Sequence, residues 1–73
     1  MIKYEIKTGS KHLNTEARQR RDTYYKPFLR GMFCRNCNND TIIRFVENHD
    51  QYVIGTIYAC CPIFNERIIR KLA

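Results

Sequence analysis

The chain has 73 residues, 44% hydrophobic and 12% aromatic, with 13 Lys/Arg against 7 Asp/Glu and a formal net charge of +6 at pH 7. That length holds a single domain, 1–73, and that apolar content excludes a disordered tail. No apolar run approaches the ~20 residues that cross a bilayer. The alternating start Met1-Ile2-Lys3-Tyr4-Glu5-Ile6-Lys7 lacks the apolar stretch of a signal peptide, so a reducing, cytoplasmic location with no membrane partner is expected.

Residues 2–7 predict a strand, with Ile2, Tyr4 and Ile6 on one face and Lys3, Glu5 and Lys7 on the other. Thr8-Gly9-Ser10 breaks it. Residues 14–25 predict a short basic helix capped by Asn14 or Thr15 and stopped by Pro27. Its thin apolar stripe is Leu13, Ala17, Tyr24 and Tyr25, so it must dock on something or be only partly ordered. Residues 41–47 and 52–59 are rich in β-branched and aromatic residues and flank the polar turn 48–51, which predicts a hairpin. Gly55 within its second strand marks a bulge or a close approach. Beyond Pro62 the sequence fits either a third strand or a short helix from Asn65 with Ile68, Ile69 and Leu72 on one face. The chain thus divides into a basic strand–helix segment (1–30), a hairpin region (31–62) and a C-terminal segment (63–73).

Four cysteines in so short a chain call for an explanation, because a core of this size supplies only about 3–5 kcal/mol. Cys34-Arg35-Asn36-Cys37 is a CxxC, a spacing at which a tight turn presents two thiolates to one ion. Cys60-Cys61-Pro62 follows. Folding the hairpin about its centre, between His49 and Gln51, sets Asp40 opposite roughly Ala59 and Cys37 opposite roughly Pro62. Both cysteine pairs then reach the same end of the ribbon. Cys34, Cys37, Cys60 and Cys61 are the expected metal ligands, with Zn2+ as the metal. Neighbouring residues on a strand point to opposite faces, so Cys60 and Cys61 can share one ion only if the chain turns sharply there. Otherwise three cysteines bind and a fourth ligand, such as His12, completes the set; His12 is read first as a solvated surface residue. His49 at the hairpin tip lies ~25 Å away at ~3.3 Å per residue and is rejected. Reduced structural thiols and a disulfide or redox pair are the competing uses. Cys37 is followed by the turn-forming Asn38-Asn39-Asp40 rather than by a helix, which argues against a thioredoxin-like site.

The CxxC, the hairpin and the Cys60-Cys61-Pro62 segment resemble a zinc ribbon over residues ~30–62, with a departure from the family's second CxxC. The resemblance implies a small α+β fold: a zinc-ribbon-like hairpin or three-stranded antiparallel sheet beside the basic N-terminal helix. It also implies a structural metal and binding to nucleic acid or protein, as in transcription factors, RNA polymerase subunits and ribosomal proteins. In size and make-up the chain is similar to the small regulators that bacteriophages use to dock on bacterial RNA polymerase.

Charge is uneven. Residues 1–30 hold eight Lys/Arg and three Asp/Glu, while residues 31–73 hold five and four. Such clustering favours a polyanionic partner. The candidate surface is Lys7, Lys11, Arg18, Arg20, Arg21, Lys26, Arg30 and Arg35, interleaved with Tyr24, Tyr25 and Phe28, though each of those rings is read first as core. Arg67, Arg70 and Lys71 form a smaller group that would join it if the C-terminal segment packed beside the N-terminal helix. The sequence offers no cysteine–histidine pair, paired carboxylates or glycine-rich phosphate loop, so no enzyme is expected. The expected function is a monomeric, zinc-binding regulator of transcription that binds RNA polymerase or another transcription-machinery protein, nucleic acid, or both. A structural subunit of a ribonucleoprotein or other assembly is the alternative, and a thiol redox protein a weaker one.

Overall fold

A computed structural model of the chain describes residues 2–35, 37 and 39–73. The elements run β1 (Ile2–Lys7), α1 (Lys11–Arg20), a π-helical turn (Arg21–Tyr25), α2 (Lys26–Phe28), β2 (Thr41–Glu47), β3 (Val53–Tyr58) and α3 (Pro62–Leu72). The sheet order is β1-β2-β3. β2 and β3 form the expected antiparallel hairpin, whereas β1 pairs with β2 in parallel, from Ile2 opposite Thr41 to Lys7 opposite Val46. The expected all-antiparallel sheet is therefore corrected to a mixed one. The cause is the helical segment after β1. It lies back along the sheet and returns the chain to the end where β1 began, and a helical crossover of that kind joins parallel neighbours.

That segment also starts earlier and ends later than 14–25. Ser10, not Asn14 or Thr15, is the N-cap, and its side chain accepts from the Leu13 N–H. The helix runs through Pro27 instead of stopping before it. The π turn explains this: Lys26 N–H bonds back to the Arg21 carbonyl, five residues earlier, so the backbone is widened where the proline ring would meet a carbonyl of the preceding turn. Gly31, at φ 78°, then swings the chain away after Leu29 and sends it toward Cys34.

One face of the sheet is covered by helices. Along β2, Thr41, Ile43 and Phe45 alternate inward and are buried. Leu13 and Ala17 from α1, Leu29, Val53 from β3, and Phe64 and Ile68 from α3 close over them in one cluster. Tyr25 stacks edge-on against Phe45, ring centroids 5.0 Å apart, as expected of a core ring, whereas Tyr24 and Phe28 are exposed. The close approach expected at Gly55 is made by Tyr25: a Cβ there would sit 2.6 Å from its hydroxyl oxygen. No bulge interrupts the strand, for Gly55 pairs in register with Phe45.

The hairpin pairs Ile42 with Tyr58, one residue from the expected pairing. Asn48 shapes the turn: its side-chain oxygen accepts from the Asp50 and Tyr52 N–H groups. Of the two options beyond Pro62, the helix is realised, and it begins at Pro62 rather than Asn65 because proline is preset for a first helical turn. Its inward face is Phe64 and Ile68, while Ile69, expected inside, is 51% exposed. No helix among the described residues is long and apolar enough to cross a membrane.

Candidate functional site

The cysteines meet where the strands' ends at Ile2, Thr41 and Tyr58 lie together. Cys34 and Cys37 arrive on the loop before β2, Cys60 and Cys61 on the junction between β3 and α3. Asn36 and Asn38, within and just after the CxxC, lie outside the described residues, and with Asn38 lies part of the turn expected at Asn38–Asp40. The sharp turn that adjacent cysteines need is present. β3 stops at Tyr58, Cys61 is extended (φ −156°, ψ 160°) as the N-cap of α3, and the helix begins on the next residue. Thr41, buried under the sheet, anchors this junction by accepting from the Cys60 N–H at 3.2 Å. Lys3 pairs with Asp40 at 2.8 Å, tying β1 to the residue before β2.

All four Sγ atoms lie within 4.8 Å of one another, and every cysteine is half-buried, with none in a disulfide. The Cys34–Cys61 sulfurs are 3.7 Å apart. A tetrahedron with metal–sulfur arms of ~2.3 Å has edges of about 3.8 Å, which the Cys34–Cys61 distance matches, so the four residues suit a four-thiolate metal site. With thiols alone, the hydrogen bond to Cys60 is the largest of the causes, desolvation among them, that hold Cys37 far above the ordinary thiol range. A cation reverses that preference, because it deprotonates the thiols that ligate it. The first turn of α3 adds its positive dipole end beside Cys61. His12 takes no part. It is exposed on α1 in a hollow with Gly9, Ser10 and Glu47, at the hairpin-tip end of the sheet.

The expected basic residues separate into two ends and a middle. Lys7 closes β1 and Lys11 opens α1, at the end away from the cysteines. Arg18 is exposed on α1. Arg20 is engaged within the fold, donating to the Val53 carbonyl at 2.8 Å and to Glu16 at 3.0 Å. Arg21 pairs with Asp22 at 2.9 Å. Lys26, Arg30 and Arg35 gather at the cysteine end. The packing that would bring in the C-terminal cations is present: the Tyr24 hydroxyl donates to the Leu72 carbonyl, so the last turn of α3 lies beside the N-terminal helix.

Three hollows surround the 30–35 loop as a result. The largest, about 400 Å³, lies between Phe33, Arg35, Ile63 and Arg67; a second, about 330 Å³, between Met32, Arg67, Arg70 and Lys71. The third, about 240 Å³, borders Lys26, Arg30 and Met32. Arg35 stacks over Phe33 at 5.6 Å and Arg67 over Phe64 at 5.7 Å. Comparisons with protein-family models, curated proteins and solved structures returned no match. The zinc-ribbon resemblance therefore rests on the CxxC, the hairpin and the Cys60-Cys61-Pro62 segment alone.

Proposed function

We propose that the protein is a non-enzymatic, zinc-stapled regulator of transcription whose basic surface binds nucleic acid. The observation that carries this is the convergence of four cysteine sulfurs to within 4.8 Å beside a surface rich in cations that includes the exposed ring of Phe33. Zinc suits an all-thiolate tetrahedron, and four protein ligands leave it no open position for chemistry, so its role here is structural. It would clamp the 34–37 loop to the start of α3. A reducing, cytoplasmic compartment suits cysteines that are not joined in disulfides, and the zinc-ribbon resemblance points the same way.

A second reading, docking on RNA polymerase, is supported by Ile63 and Ile69, which α3 holds 66% and 51% exposed among arginines. Apolar side chains mixed with arginine and aromatic residues suit a protein interface. Native mass spectrometry before and after chelation, followed by a salt series of nucleic-acid binding, tests the first reading. One bound zinc and a steep fall of log affinity with log salt are expected. A metal-free folded protein would remove the zinc staple, and affinity indifferent to salt would remove direct nucleic-acid binding. Polymerase capture that survives nuclease treatment would then favour docking.

A further inference from the structure

We infer that the groove between the 30–35 loop and α3 is a binding site for single-stranded nucleic acid, with phosphates on Arg35, Arg67 and Lys71 and a base stacked on Phe33. This assigns the ligand class and the residues, and it rests on the nucleic-acid reading above.

Charge selects the ligand first. The 29–35 loop carries two arginines and no carboxylate, and α3 carries three cations against Glu66, which is ion-paired to Arg70 at 2.6 Å. Arg30, Arg35, Arg67 and Lys71 have no ion pair among the described residues. Arg35 from the loop and Arg67 from α3 line the same hollow, Arg67 also borders the hollow that Lys71 lines, and Arg30 lines a third hollow that meets the second at Met32. A polyanion lying along the groove would meet cations from both sides.

Ring exposure then selects a single strand. Phe33 is 53% exposed at the rim of the 400 Å³ hollow, with the Arg35 guanidinium over its ring. Stacking on that ring needs a base that is free of its own helix, which a duplex does not offer. The hollow is concave and of the size that takes one flat group, whereas a duplex presents a convex backbone. An acidic peptide would satisfy the arginines but make no use of the exposed ring, whereas a base can stack on it beside Arg35.

The test is fluorescence anisotropy on the purified, metal-loaded protein, with a labelled single strand of about twelve nucleotides and the same sequence as duplex, over a salt series. The single strand is expected to bind more tightly. Phe33→Ala should weaken it by about tenfold while leaving the salt slope unchanged, as loss of one stacked base does. The double variant Arg35→Ala/Arg67→Ala should weaken it and flatten the slope by about 0.7 for each phosphate that the arginines no longer neutralise. These positions are exposed, and circular dichroism checks that each variant stays folded. Lys7→Ala/Lys11→Ala, at the far end, should change much less. Binding that prefers duplex, ignores Phe33, or depends most on Lys7 and Lys11 would overturn the groove assignment and leave the nucleic-acid reading standing. No binding to either strand form would overturn both.

Discussion

With zinc on the four cysteines as proposed, its removal by chelation or by Cys61→Ser should unseat α3. The helix buries Phe64 and Ile68, which are 2% and 0% exposed. Burying side chains of this kind is worth about 1.5–3 kcal/mol each, so docked α3 contributes about 3–6 kcal/mol. An 11-residue helix on its own is marginal in water, so the helix exists largely by virtue of that docking. At roughly 0.05–0.15 kcal/mol per residue, a chain of this length has a total stability of about 4–11 kcal/mol. Loss of α3 would thus remove a large share of it. Far-UV circular dichroism with urea titration reads the outcome. The chelated protein should lose helical signal and unfold at a much lower midpoint, added zinc should restore both, and Cys61→Ser should behave like the chelated protein even with zinc present. Chelated protein, shown by mass to be free of metal, that kept its full helical signal and urea midpoint would refute the staple.

Packing and hydrogen bonding within the fold set three other outcomes. Gly55→Ala places a Cβ 2.6 Å from the Tyr25 hydroxyl oxygen and 3.1 Å from its ring, and should destabilise by about 1–3 kcal/mol. In a Tyr25→Phe background the nearer clash is gone, so urea titration of the four proteins should show a smaller penalty; an equal penalty in both backgrounds contradicts the clash. Burial, the largest cause in each case, lifts the hydroxyls of Tyr4 and Tyr25 above the ordinary 10.0. A folded value above the unfolded one gives stability that is complete below the unfolded value and lost as pH rises through the folded one. The melting temperature should therefore hold up to about pH 10 and then fall, less steeply in Tyr25→Phe. Arg20→Ala should cost about 1 kcal/mol by leaving the Val53 carbonyl without its donor, yet leave nucleic-acid affinity nearly unchanged.

The parts legible in the sequence were those set by local pattern. β-branched and aromatic runs around Asn48 specify the hairpin, and the hairpin alone carries Cys34 and Cys37 to the end where Cys60 and Cys61 lie. Strand direction was not legible. The alternation Ile2-Tyr4-Ile6 is the same in a parallel as in an antiparallel pair, and the direction is decided by the long helix that returns the chain. That helix was itself obscured by Pro27, whose effect depends on whether a π turn precedes it. In α3, Phe64, Ile68 and Leu72 share a face at a spacing of four; starting the helix at Asn65 discards Phe64 and brings Ile69 in by default.

The binding surface shows the same limit from the other side. Counting charge along the chain weights residues 1–30, where Arg20 and Arg21 turn out to be occupied by Val53, Glu16 and Asp22. Proximity in space joins Arg35 instead to Arg67, thirty-two residues later, and through it to Arg70 and Lys71. The same geometry links the staple to the surface. Cys34 lies between Phe33 and Arg35, and Cys61 caps the helix that bears Arg67. A metal held by both cysteines would fix the two walls of the groove relative to each other. The metal would thus act on binding without touching the ligand, by setting whether the cations and the ring are aligned at all.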